Sequence, residues 1–188
     1  MSKPDTVRVI SQPEAEPVTL SEAKLQLAIN EAFTEFDTLI ADKIAAGRRY
    51  IEKRLGQTLV ATEYRATWAE VPAGRVLHLP NPPLLTGSVY DLVATVGGEE
   101  VDAGDLEVDE DAMPAKVTIP ANVSGKVVVT YWGGVEPGDP IEPNVKAALL
   151  MFVEHTFKNR GIVAEDGSVE LPQAFDALLA SSSHSGAW

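Results

Sequence analysis

Cysteine is absent from all 188 residues, which excludes disulfides and thiolate metal sites and leaves the redox compartment open. Basic residues are scarce. Fifteen Lys and Arg stand against 28 Asp and Glu, a formal charge of −13 at neutral pH. Nucleic-acid binding needs Lys and Arg to displace phosphate counterions, so this balance argues against it, and against anionic membranes as well. The expected partners are proteins, and like-charge repulsion favours solubility. No apolar run approaches the length of a membrane span, and MSKPDTVRVISQPEAEP lacks an apolar core of signal-peptide length, so a soluble, cytoplasmically made protein is expected. HExxH, Walker A and GxGxxG motifs are missing too, as is any internal repeat.

What the chain does have is clear punctuation. TLSE sets Glu22 three residues after Thr19, a capping-box pattern that opens a short first helix ending near Asn30, with Ala23, Leu27 and Leu20 on one face. Thr34 is placed to cap a second helix that stops at Gly56, and Ile40, Ile44, Gly47, Ile51 and Leu55 form its apolar stripe. Gly47 on that stripe predicts close approach of another backbone. From Thr58 the spacing shifts to short strands between Pro and Gly breaks, with Gly97-Gly98 as a hairpin tip. An antiparallel sheet, a sandwich and a partial barrel all fit that spacing. The third helix opens at Pro143 and ends at Gly161, with Val145, Ala148, Leu149, Phe152, Val153 and Thr156 on a wide buried face expected to pack on the second helix.

The fold class read from this layout is α+β. A small helical bundle of two N-terminal helices and one late helix (residues 18–57 and 141–161) carries an antiparallel β insertion at 58–136. Residues 1–17, with three prolines and no helical period, are expected to form an extended arm. Residues 162–188 hold four acids and no Lys or Arg. Leu171, Phe175, Leu178 and Leu179 make an apolar face there and Trp188 follows, which suggests an arm that docks on a partner. A fourth helix folded back on its own core is the other reading, and periodicity does not separate the two.

Candidate chemistry is thin. DLEVDEDA spaces Asp105, Glu107, Asp109 and Asp111 like the first half of a calcium loop, but Glu110 stands where glycine is needed and Lys116 where the bidentate Glu belongs. A solvated strand face is the plainer reading. His78, His155 and His184 are scattered, and Ser181 to Ser183 lie in a low-complexity tail that cannot hold a triad. No catalytic residue, metal site or cofactor is therefore expected. Arg48, Arg49, Lys53 and Arg54 form the one basic cluster. It either complements the C-terminal dipole of its helix, with Arg48 pairing Glu52, or contacts an acidic neighbouring subunit or passing nucleic-acid backbone, the last disfavoured by the overall charge.

Four stretches in order carry a resemblance: PVTLSEAKLQLAI, FDTLIADKIAAGRRYIEKRLGQTL, LHLPNPPLLTGSVYDL and VVVTYWGGVEPGDPIEPNVKAALLMFVEHTFKNRG. They resemble the head–tail connector, or adaptor, proteins of long-tailed phages and phage-like gene transfer agents, in the branch with a β insertion. The family's Pro-Val-Ser/Thr-Leu-x-Glu-Ala-Lys falls on Pro17 to Lys24. Its Ile-x-x-Ala-x-x-Tyr-Ile-Glu falls on Ile44 to Glu52, with Gly47 where alanine is usual, and its Asn-Arg falls on Asn159-Arg160. Two departures stand out: NEAFTEF is shorter than the usual acidic linker, and no family motif aligns beyond Gly161. The resemblance implies a structural, non-enzymatic virion protein, assembled in the host cytoplasm as a ring of twelve subunits under the portal protein. Such a ring extends the DNA channel without binding DNA tightly and receives a stopper or tail-terminator protein, with no membrane involved. A small ligand-binding protein or enzyme with a pocket in the β insertion, and a tail-completion protein, are the competing readings.

Overall fold

The computed structural model describes residues 2–159 and 171–182. The chain divides into two compact units, each built from separated stretches: a β unit (Met1–Ala15 with Gly56–Asp139) and a helical unit (Glu16–Leu55 with Pro140–Trp188).

The β unit contains β1 (Thr6–Ser11), β2 (Thr62–Trp68), β3 (Val76–His78), β4 (Leu84–Leu85), β5 (Val93–Val96), β6 (Glu99–Val101), β7 (Glu107–Asp109), β8 (Lys116–Thr118) and β9 (Val127–Gly133). They form a six-stranded sheet in the order β1-β2-β9-β5-β6, with β4 also on β9, and a three-stranded sheet β3-β8-β7. Every pairing is antiparallel. Period-two patterning decides what is buried: in β2 and β9, Tyr64, Ala66, Trp68, Val127, Val129 and Tyr131 turn inward. They share one core with Leu77 and Val117 of the smaller sheet and with Leu79 and Ile119 just beyond β3 and β8, so the unit is a two-sheet sandwich.

Two devices hold its corners. Gly97-Gly98, both at positive φ, make the two-residue turn between β5 and β6. Gly134 has φ +107°, and a Cβ there would lie 2.4 Å from the Val60 carbonyl oxygen, so this position admits only glycine.

The extended arm expected at residues 1–17 needs correction. Residues 6–11 do extend, but as β1 paired along β2, because TVRVIS has the alternation a ladder can use. The β region is thus not one uninterrupted insertion.

The helical unit contains α1 (Leu20–Gln26), α2 (Asp37–Leu55), α3 (Pro143–Lys158) and α4 (Gln173–Ser182). The full capping box is present on α1, with the Thr19 side chain accepting from the Glu22 N–H and Glu22 reaching back to the Thr19 N–H. The helix ends earlier than Asn30, because Ala28 sits in the left-handed region at φ 55°. Thr34 contributes its carbonyl rather than its side chain at the start of α2, accepting from the Asp37 N–H at 3.1 Å. On α3, Glu142 is the N-cap and Pro143 the first helical residue. The Gly161 stop lies outside the described residues.

Ile40, Ile44, Gly47 and Ile51 of α2 pack on α3, whose buried residues are Val145, Ala148, Leu149, Phe152, Val153 and Thr156. Close approach at Gly47 is real, though to side chains rather than backbone. A Cβ there would lie 2.6 Å from Leu149 Cδ1 and 2.8 Å from Phe152 Cδ1.

Candidate functional site

The basic cluster of α2 is divided by its own helix. Arg48 is 5% exposed, and its guanidinium donates to Glu16 at 2.8 Å and to Glu52 at 2.9 Å. A charge this buried takes partners within its own unit, so of the two readings Arg48 follows the first, paired with Glu52 and with Glu16 besides, as an internal clamp and not an inter-subunit contact. Arg54 pairs with Asp176 of α4. Arg49 is exposed and donates to the Ala45 carbonyl at 3.2 Å, and Lys53 is exposed. Only these last two keep their charge open to a neighbour in the way the cluster suggested.

The expected C-terminal docking face is largely used up as well. Phe175 is 1% exposed, its ring 5.8 Å from Tyr50 and 6.5 Å from Phe152, and Leu179 is buried. Leu171 and Leu178 are half-buried, and Trp188 lies outside the described residues. Polar ties fix the same helix: Asn144 donates to Ser181 at 2.9 Å and Ser182 donates to Glu142 at 2.6 Å. The helix is therefore part of the core of its own unit. An amphipathic helix beside an open aromatic face gains more by covering that face than by staying in solvent.

Electrostatics within the unit follow these ties. The Lys146 ammonium, followed by the Thr19 backbone N–H, holds the Glu22 carboxyl below the usual carboxylate range. Partial burial pushes Glu142 up, but hydrogen bonds from Ser182 and the backbone N–H groups of Asn144 and Val145 outweigh it and leave that carboxyl lowered. These groups join α1 to α3 and α3 to α4.

In the β unit, a shallow groove of about 220 Å³ is lined by residues including Ser11, Glu14, Tyr90, Trp132 and Pro137. Tyr90 and Trp132 meet edge to face at 5.4 Å. Partial burial and then the carboxylates of Glu136, Glu14 and Asp139 keep the Tyr90 hydroxyl above its ordinary range. The Ser11 hydroxyl in the groove donates to the Gln12 carbonyl at 3.4 Å, and the groove's volume falls below the roughly 300–1,000 Å³ of typical small-molecule sites. Among the described residues no group of three or more His, Asp or Glu side chains is arranged to hold a metal ion. Glu107 and Asp109 lie exposed on β7, and Asp109 is paired with Lys116 at 3.1 Å. His78 ends β3 and His155 lies half-buried on α3, far apart in sequence and in different units. His184 lies outside the described residues.

Sequence reasoning missed β1, whose Val7, Val9 and Ile10 are among the exposed large apolar side chains. The alternation in TVRVIS was the available signal, masked by the prolines around it.

No family model matches the chain, and no curated protein does. Solved structures do. The chain is similar to one in the neck of an empty gene transfer agent particle computed with C6 symmetry, at 15% identity and a TM-score of 0.74, covering 94% of both chains. A chain in the virion of a native gene transfer agent particle matches at 15% identity and a TM-score of 0.67, over 94% of both. One in the neck of a native particle computed with C12 symmetry matches at 15% identity and a TM-score of 0.65, over 94% of this chain and 93% of that one. Along nearly its whole length, this chain has the fold of a protein of the gene transfer agent neck, in keeping with the connector resemblance of its sequence.

Proposed function

We propose that this protein is a head–tail adaptor of a tailed phage or gene transfer agent particle. Its copies form a ring of twelve beneath the portal protein, extend the DNA channel and receive a stopper or tail-terminator protein. The observation that carries this reading is likeness to neck chains over 94% of the chain, which takes in both units. The ordered sequence resemblance over residues 17–161 supports it independently, and the matched necks were computed with C6 and with C12 symmetry, both compatible with a ring of twelve. The role is structural, without catalysis. A net charge of −13 suits a channel component, since an acidic wall repels phosphates and lets DNA slide where a basic wall would hold it.

Deleting the gene in its host tests the proposal. The expected product is DNA-filled heads without tails by electron microscopy, with DNA transfer lost and restored by the gene supplied in trans. Normal tailed particles from the deletion strain would refute the adaptor role. Genome position gives a cheaper check: the gene is expected just downstream of portal, protease and capsid genes.

A further inference from the structure

The two free edges of the larger sheet are unlike each other. With the order β1-β2-β9-β5-β6, β1 and β6 stand at opposite ends, separated by four strand spacings or about 19 Å. Five of the six residues of β1 are exposed, Val9 at 48%. Arg8 lies directly opposite Arg65 in the ladder. Like charges in that position repel, and among the described residues neither arginine has a carboxylate partner, Arg65 reaching only the Thr130 hydroxyl at 3.5 Å. Two of the usual edge guards are present, a register shift between Val9 and Ser11 and the charged Arg8, while between Thr6 and Val9 the pairing is regular, so a partner is selected here by side-chain charge.

At the other end, β6 leads through a single 3-10 turn (Ala103–Asp105) into β7, the edge of the smaller sheet. Eight acids and no Lys or Arg lie between Glu99 and Asp111. Glu99, Glu100 and Glu107 are exposed and have no cationic partner among the described residues. One molecule cannot bring its own Arg8 to its own Glu99 across the width of the sheet.

We propose that the β1 edge of one copy docks on the acidic β6–β7 edge of the next. Arg8 and Arg65 face Glu99, Glu100 and Glu107 there, while Val7 and Val9 are covered. This rests on the ring reading and assigns the ring its interface. Because the two surfaces differ and lie at opposite ends of one sheet, the contact is head-to-tail, the type that closes into a ring when the rotation allows. Charge complementarity commits the site to a second copy of this chain.

Charge reversal tests it with built-in rescue. Arg8→Glu with Arg65→Glu makes both edges acidic, and Glu99→Lys with Glu100→Lys puts lysines on β6 to meet the arginines of β1. Each variant alone is expected to associate about tenfold or more weakly than wild type at low salt, measured by mass photometry and sedimentation. An equimolar mixture restores association, because alternating copies recover both contacts, and that recovery also excludes misfolding. The absence of native cysteine permits a second test with Val9→Cys and Glu99→Cys in one chain. Those positions are too far apart to bridge within a copy, so an oxidised ladder reports neighbours. Wild-type oligomers with no ladder, and reversed variants that assemble normally, would overturn this interface while leaving the ring intact. A chain that is monomeric at every concentration, forms no ladder and is missing from purified necks would overturn ring and interface together. Loss of duplex-DNA binding in the arginine variant with assembly unchanged would reassign β1 to DNA and also refute the proposal.

Discussion

The two units solve the same stability problem by different means. The helical unit is held by side chains: aromatic rings of α2, α3 and α4 interleave, and Arg48, Lys24 and Lys146 tie elements together through ion pairs. In the β unit the backbone is decisive, through ladders, a Gly97-Gly98 turn and glycines pressed against carbonyls. Charge differs as well. The β unit carries 15 acids against six bases, the helical unit 13 against nine. A side-chain-limited unit should fail on truncation and acidification, and a backbone-limited unit on gain of a single methyl.

Phe152→Ala and Phe175→Ala test the first half most severely. Each ring is buried beside Tyr50, and each truncation should cost about 3–5 kcal/mol in chemical denaturation. A loss below about 1 kcal/mol at Phe175 would return α4 to the role of a docking arm.

For the β unit, Gly134→Ala should cost about 2–4 kcal/mol, since it combines a left-handed backbone with overlap on Val60. Gly47→Ala in α2 is the matched control. There the displaced atoms are side-chain carbons and the helix gains propensity, so a net loss of about 1 kcal/mol is expected. If the two substitutions cost the same, the contrast between units fails.

Arg48→Met should destabilise by about 2 kcal/mol. It leaves Glu16 and Glu52 without their cation, but both retain some solvent (31% and 15% side-chain exposure), which reduces the penalty of a fully buried pair.

Acid and alkali should separate the units with smaller effects. Folded Glu22 and Glu142 hold their protons less tightly than in the unfolded chain, so their contribution is present above the ordinary carboxylate range and is lost as pH falls through the lowered values. Tyr131 is the opposite case. Burial, followed by repulsion from the Tyr64 phenolate, raises its pKa, and its hydroxyl donates to the Pro80 carbonyl at 2.7 Å. Its contribution is present below the ordinary value of 10.0 and declines as pH rises beyond it. Tyrosine and amide NMR signals of each unit, followed across pH, should show the helical unit loosening first in acid and the β unit first in alkali.

Local chemistry alone determined much of this protein. The capping box at Thr19, the stripe from Ile40 to Ile51, the Pro143 start and the Gly97-Gly98 turn could all be read along the chain, because each depends on neighbours within a turn or two. Their order also carried the connector resemblance. Tertiary structure decided the rest. Whether Phe175 faces its own core or a partner depends on the aromatic surface that α2 and α3 present, and Arg48 is a clamp only because Glu16 comes to it from another stretch. The pairing of β1 with β2 joins residues more than fifty positions apart, and only that ladder sets Arg8 opposite Arg65 at a sheet edge. Periodicity shows that a face exists, but what covers it depends on contacts between distant parts of the chain.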